Sequence, residues 1–448
     1  MSSRLTCDAC SAEYGALDPR ARCAACGGLL GVRHDRPASD GAALRDCFDT
    51  RLAAGGLAGR GAPVSSGVWR FRELVMPGAT DAEIVTFPEG NTPLLAREAV
   101  ARWAGIDDLL LKHEGQNPTG SFKDRGMTVA LTQAKRLGAV AVACASTGNT
   151  SSSLAAYAAL AGIPAVVLVP AGRVALGKLA QTLAYGARTL LVRGDFDDCL
   201  RLASEAAERL GMYLANSINP WRLEGQKTIV LELLQQLGWR APDWIVVPAG
   251  NLGNAAAFGI ALREARELGL VDATPRLAAV QAAGAAPFAR SYRAGFRERF
   301  VVRAETVATA IRIGDPASYD RAVRAIRETA GVVTDVPDEE IMEAKAAVDA
   351  AGVGCEPASA ASVAGARRLV REGVIRRQDR VVAVLTGHIL KDPDSLIRYH
   401  GETNPRPLAA NPPVEIDATL GDVERVIGAE RWESSAGSRQ VRARAGGR

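Results

Sequence analysis

One lysine in this chain of 448 residues stands where a loop gives way to a helix. Asn117-Pro118-Thr119-Gly120-Ser121-Phe122 is built from turn-forming types. From 127 to 137, good helix formers place apolar residues at three- and four-residue steps. Lys123 therefore falls at the mouth of a helix, where an amine can be desolvated and made nucleophilic toward a carbonyl compound. Read alone, the same position also suits a solvated surface charge.

Three further segments have the form of anion or ligand contacts. Ser146-Thr147-Gly148-Asn149-Thr150 follows a short apolar run and precedes a helical stretch at 154–160, so small hydroxyl residues meet backbone N–H groups at a helix start. Gly250-Asn251-Leu252-Gly253-Asn254 follows the apolar run 244–248, and its glycines and asparagines permit the backbone angles of a nest that suits a phosphate dianion. Thr386-Gly387-His388 ends the run 380–385, placing a hydroxyl at the carboxyl end of a strand, where open α/β sheets bind ligands. Each segment alone also reads as an ordinary turn or capped helix. Together they supply a Schiff-base-competent amine, a polar strand–helix loop, a phosphate cradle and a terminal hydroxyl, the set that pyridoxal phosphate requires.

On these residues the chain resembles the threonine synthases, in the pyridoxal-phosphate-dependent fold-type-II (tryptophan synthase β-like) superfamily. The similar segments run in order from Glu89-Gly90-Asn91-Thr92-Pro93-Leu94 through 117–125, 146–150 and Gly177-Lys178-Leu179-Ala180-Gln181. They continue through 216–228, 248–254, Cys355-Glu356-Pro357-Ala358-Ser359-Ala360 and Thr386-Gly387-His388-Ile389-Leu390-Lys391-Asp392-Pro393. Ile389 departs from the pattern, standing where the family is expected to carry glycine, and adds bulk near Thr386.

The resemblance assigns roles. Lys123 is the Schiff-base lysine and mobile base, with Phe122 beside it; Asn149 meets the cofactor's ring hydroxyl; Gly250, Asn251, Leu252, Gly253 and Asn254 cradle its phosphate; Thr386 faces the ring nitrogen. Substrate contacts fall to Ser146, Thr147 and Thr150 for the α-carboxylate end. Asn216, Ser217 and Arg222 would take a substrate phosphate, for which an arginine fork is suited. For Arg222 an ion pair with Glu224 is the competing reading. The implied reaction converts O-phosphohomoserine and water to threonine and phosphate. A cysteate synthase-like enzyme or a threonine/serine dehydratase would use much the same machinery.

Composition agrees with an enzyme acting on a small molecule. The net charge is only +4 and no concentrated basic run appears before the tail, which argues against nucleic acid or membrane as the main partner. No apolar span is long enough to cross a bilayer, and the polar N-terminus lacks a signal-peptide core, so a cytoplasmic location is expected. A homodimer is a further expectation of the resemblance.

Half of the eight cysteines lie within the first few dozen residues. Cys7-x-x-Cys10 and Cys23-x-x-Cys26 have zinc-ribbon spacing, and a segment this small needs a staple to fold. Structural zinc is the reading favoured over a metal-free ribbon or redox use, and many threonine synthases are similar in carrying a Cys-rich N-terminal extension. Cys47, Cys144, Cys199 and Cys355 read as small buried hydrophobes.

Strand–helix alternation from 109 to 385 predicts an α/β protein with two open, mostly parallel sheets flanked by helices. The expected units are a ribbon at 1–35, a large domain in two parts (36–126 and 224–410), and a small domain at 127–223 inserted between them. Strands are expected in the insert at 140–143, 165–169 and 189–192. A tail at 411–448 adds a short helix near 421–425 and is expected to be disordered from 434. The stretch 68–72 is expected to pack the ribbon onto the body.

Overall fold

The computed structural model describes residues 2–54, 62–172, 176–403, 407 and 409–429. The end of the tail, expected to be disordered, lies outside them. In chain order the strands are β1 (Ser3–Cys7), β2 (Glu13–Gly15), β3 (Leu30–His34), β4 (Leu94–Ala96), β5 (Asp108–His113), β6 (Val142–Ala145) and β7 (Ala165–Pro170). They continue with β8 (Arg188–Val192), β9 (Tyr213–Leu214), β10 (Trp244–Pro248), β11 (Arg276–Ala282), β12 (Val332–Val336) and β13 (Arg380–Leu385).

Three sheets result. The larger, in order β12-β11-β10-β13-β5-β4, is parallel except for the edge strand β4, which runs antiparallel to β5. The smaller, β8-β7-β6-β9, is wholly parallel. The third, β2-β1-β3, is the antiparallel N-terminal ribbon. Strands such as β10 are buried along their whole length, as continuous apolar runs covered by helices on both faces must be.

Two details of the smaller sheet differ from expectation. β6 begins at Val142 rather than 140, because Val140 is 65% exposed whereas all four residues of β6 are buried. The two-residue β9 has no counterpart in the sequence reading; a strand that short has no periodicity to detect. The helix near 421–425 extends over Leu420–Ala429.

The ribbon is tied to the body by polar contacts from several elements. Arg321 donates to the Asp8 carboxylate and the Leu30 carbonyl, His34 Nε2 meets Glu224 Oε2 at 2.9 Å, and Gln133 donates to the Ala16 carbonyl. Leu5, Leu30 and Val32 share a core with Trp69, Trp221 and Phe258. The polar groups of the 68–72 stretch turn into the body: Trp69 Nε1 donates to Thr128 Oγ1 and Arg70 pairs with Glu232. Cys144, Cys199 and Cys355 are buried, as expected of small hydrophobes, and Cys47 partly so. Among the described residues no helix is long and apolar enough to cross a membrane.

Candidate active site

The loop that bears Lys123 is fastened to the end of β13. Phe122 N–H donates to the Thr386 carbonyl at 3.0 Å, His388 N–H donates to the Gly120 carbonyl at 2.9 Å, and Ser121 bridges Gly387. Lysine and strand-end hydroxyl, remote in sequence, thus form one rigid piece. Lys123 opens the helix Lys123–Arg136, and its Nζ lies 4.1 Å from the centroid of the Phe122 ring. Burial, and then the nearby Arg222 charge, bring its pKa down to about 7 against the pull of Glu356. A neutral amine is the form that attacks a carbonyl.

Behind Lys123 lies a charged cluster that sequence reasoning missed. Arg125 forks onto Glu114 with Nε at 2.7 Å and Nη2 at 2.8 Å, and also reaches Glu232 Oε1 at 2.8 Å. Lys112 Nζ donates to the same Glu232 oxygen at 2.6 Å, and Arg70 reaches Glu232 Oε2 at 3.3 Å. All five side chains are buried. Burial opposes the Glu232 charge, but Arg125 and Lys112 hold its carboxyl well below the usual range. Asp124, between Lys123 and Arg125, accepts from Thr119 N–H, Thr119 Oγ1 and Ser153 Oγ. The residues on either side of Lys123 are therefore fixed, Phe122 through its N–H to the Thr386 carbonyl and Asp124 through these three bonds.

Ser146, Thr147, Gly148 and Asn149 are half-buried at the carboxyl end of β6, and Thr150 is buried one position further on. Asn149 opens the helix Asn149–Ala161, so the loop delivers free N–H groups and the positive end of the helix. A Cβ placed on Gly148 would meet nothing within 4 Å, so the loop faces open space there. Asn216 holds the loop from behind: its amide accepts from Ala145 N–H and donates to the Ala145 carbonyl, both at 3.1 Å. Ser217 follows it, half-buried. Asn149 Nδ2 donates to the Glu356 carboxylate at 3.1 and 3.3 Å. Glu356 lay in a segment quoted for the resemblance, but no role for it was legible there.

The segment Gly250–Asn254 leaves the carboxyl end of β10 and enters the helix Gly253–Glu267. Leu252 has φ +63°, the left-handed residue that a nest of converging N–H groups requires. Asn251 is braced by Ala317, whose N–H donates to its Oδ1 at 2.7 Å. Gln226 sits between nest and lysine helix. Its Nε2 is 3.1 Å from where a Cβ on Gly126 would be, and its Oε1 3.4 Å from where one on Gly253 would be. A phosphate at this helix start and a carbonyl at Lys123 are thus compatible with one ligand, and the donor set fits pyridoxal phosphate. Thr386 Oγ1 is 3.0 Å from Ser359 Oγ, a neutral partner suited to an unprotonated ring nitrogen.

Arg222 is the most unusual group of the site. It is buried, Nη1 donates to the Ala215 carbonyl at 3.1 Å, and Nε and Nη2 have no partner. Burial lowers its pKa to about 10. The competing pair with Glu224 does not form; Glu224 is engaged by His34 and Lys227. A buried guanidinium with two unused donor atoms calls for an anion.

In the ribbon, the Sγ atoms of Cys7, Cys10, Cys23 and Cys26 all lie within 4.8 Å of one another. The separations Cys7–Cys26, Cys10–Cys23 and Cys10–Cys26 are 3.5, 3.6 and 3.4 Å. Tetrahedral zinc with bonds of about 2.3 Å would set sulfurs about 3.8 Å apart, so the four thiols fit that ion.

Fold and site together define a pyridoxal-phosphate-dependent enzyme, and the chain belongs to that family, described as "Pyridoxal-phosphate dependent enzyme", whose model matches residues 85–387. Within it, the chain is 47% identical over 425 residues to the threonine synthase of Methanosarcina acetivorans, covering 94% of this chain and 98% of that one. It is 42% identical over 431 residues to threonine synthase 2, chloroplastic, of Arabidopsis thaliana, covering 93% and 82%. Among solved structures, threonine synthase from Escherichia coli aligns with a TM-score of 0.66 over 95% of this chain and 99% of that one, at 19% identity. Maize serine racemase aligns with a TM-score of 0.60 over 73% and 94%, at 22% identity. These likenesses place the architecture in fold type II, as the sequence reading expected.

Proposed function

We propose that the protein is a threonine synthase, which converts O-phosphohomoserine and water to L-threonine and phosphate. The observation that carries this reading beyond the family is Arg222. The nest at Gly250–Asn254 accounts for one phosphate, and the unpaired donors of Arg222, a buried cation near Lys123, account for another. A dehydratase acting on a plain hydroxy-amino acid has no use for such a cation.

Bound pyridoxal phosphate supplies the electron sink that makes carbanion chemistry at the substrate feasible. The chain's own residues do the rest. The helix start at Ser146, Thr147 and Thr150 holds the α-carboxylate, and Arg222, with Ser217 alongside, clamps the γ-phosphate. Asn216, whose amide is oriented by Ala145, keeps a second amide proton for the phosphate. Lys123 removes the Cα proton and then a Cβ proton; after phosphate has left Cγ it returns one proton to Cγ and, once water has placed its hydroxyl on Cβ and given up its other proton to the released phosphate, the second to Cα. Thr386, a hydroxyl rather than a carboxylate, does not enforce ring protonation, which favours elimination and replacement over transamination.

The reading includes a small domain at 127–223 inserted into a larger one, structural zinc in the ribbon, and a cytoplasmic homodimer. The deciding experiment follows phosphate and threonine released from O-phosphohomoserine by the purified holo-protein. Equal amounts of both support the assignment. Phosphate with 2-oxobutyrate and ammonia would make it a lyase of the dehydratase kind, and no turnover of O-phosphohomoserine, with turnover of a different phosphorylated amino acid in the presence of sulfite, would make it cysteate synthase-like.

A further inference from the structure

The carboxylate of Glu356 stands inside the site without an assigned task. It is 4% exposed and occupies the residue before the helix Pro357–Arg371. Three features hold it in place. Its own N–H donates to the Gly387 carbonyl at 3.1 Å. Gly387 has no room for a side chain, because a Cβ there would lie 2.5 Å from the Glu356 carboxyl carbon. Both carboxylate oxygens receive the Asn149 amide nitrogen, at 3.1 and 3.3 Å. The carboxylate is thus wedged between the strand end that carries Thr386 and the loop that carries Asn149.

An ionised carboxylate can only accept hydrogen bonds, whereas an amide can present either its NH2 or its carbonyl oxygen. By accepting one proton of Asn149, Glu356 decides which end of that amide stands in the site. The same nitrogen keeps a second proton. A ring hydroxyl oxygen that carries negative charge needs a donor beside it, and a carbonyl oxygen would repel it.

We propose that Glu356 is a positioning residue that locks the Asn149 amide with its second N–H turned toward the ring-hydroxyl oxygen of the bound cofactor. This rests on the reading of Asn149 as a contact of that oxygen. The lock joins two motifs far apart in the chain, Ser146–Thr150 and Cys355–Ala360, and uses the bare backbone of Gly387 to do it. Burial, helped by the nearby Asp392 charge, lifts the pKa of Glu356 above the ordinary carboxylate value, against the Asn149 amide, Lys391 and Lys123, which favour its charged form.

The test compares Glu356→Ala, Glu356→Gln, Asn149→Ala and the Glu356→Ala/Asn149→Ala double variant as purified holo-proteins. It reads the absorption maximum of the bound cofactor and the dissociation constant for pyridoxal phosphate. Loss of one oriented hydrogen bond is expected to weaken cofactor binding on the order of tenfold. Glu356→Ala should move the absorption maximum in the same direction as Asn149→Ala, and the double variant should show no further change. Glu356→Gln, which keeps an acceptor oxygen, should restore the wild-type spectrum in large part. A shift in Asn149→Ala with none in either Glu356 variant would overturn the proposal and leave the Asn149 contact standing. Silence of both Asn149→Ala and Glu356→Ala would overturn the proposal together with that contact. Fully additive effects in the double variant would show that Glu356 acts by another route, and would also overturn it.

Discussion

Arg222 keeps a buried positive charge with the Ala215 carbonyl as its hydrogen-bond partner. Removing a buried, poorly paired ion in favour of an apolar side chain of similar size is often stabilising. Arg222→Met is therefore expected to raise the melting temperature of the substrate-free protein by a few degrees. The same change should lower kcat/KM for O-phosphohomoserine on the order of a hundredfold or more. A thermal melt beside a kinetic run checks both, and a lower melting temperature would show that the guanidinium is better satisfied than its contacts indicate. Lys123 gives a prediction in pH. Its pKa of about 7 means that the neutral amine predominates above that value. Recombination of apo-protein with pyridoxal phosphate should therefore accelerate as pH rises through about 7 and level off above it. Stopped-flow absorbance measures this, and a rate still climbing steeply near pH 10 would show that Lys123 keeps ordinary basicity.

At the scale of elements, the helix Lys123–Arg136 and the helix Pro220–Gln226 approach so closely that glycine is required on both. A Cβ on Gly225 would lie 1.8 Å from the Arg125 carbonyl oxygen, and one on Gly126 would lie 2.9 Å from that of Arg222. Gly225→Ala should cost about 3 kcal/mol of stability by forcing the helices apart. Gly148→Ala, which meets nothing, should stay within about 0.5 kcal/mol while raising KM for the substrate. Urea unfolding of the two variants makes the comparison; equal losses would mean that the helix contact yields easily. The motifs at strand ends were legible because small polar residues directly follow apolar runs, as at Ser146, Gly250 and Thr386. The pairing of Arg125 with Glu232 was not, since the two are 107 positions apart and Glu232 lies on a helix where one acid reads as an ordinary polar residue. The pairing of the Asn216 amide with Ala145 was not legible either, since only the fold brings that backbone beside it. Glu356 was hidden for a related reason: its place depends on the absent side chain of Gly387.

For the molecule as a whole, the ribbon is joined to the catalytic body through the helix that carries Arg222. His34 meets Glu224 there, and its ring lies 6.4 Å from that of Trp221. Cys10→Ser, or metal removal by a strong chelator, should release about one zinc per chain and lower the melting temperature. Amide exchange should quicken in β3 and at 220–226 before it does in β10. Exchange–mass spectrometry with metal analysis tests this, and exchange unchanged at 220–226 would show that the ribbon is a passenger. The cluster of Arg70, Lys112, Glu114, Arg125 and Glu232 bears on descent as well as on catalysis. A mutation alters one of these residues at a time, and each single step strands a buried charge at a cost of about 3–5 kcal/mol. That is a large part of the whole margin by which a domain stays folded, about 5–15 kcal/mol. A lineage can revise this cluster only by paired changes, or after gaining stability elsewhere, so the surroundings of Lys123 are held still in inheritance by the physics of burial as much as by the chemistry they serve.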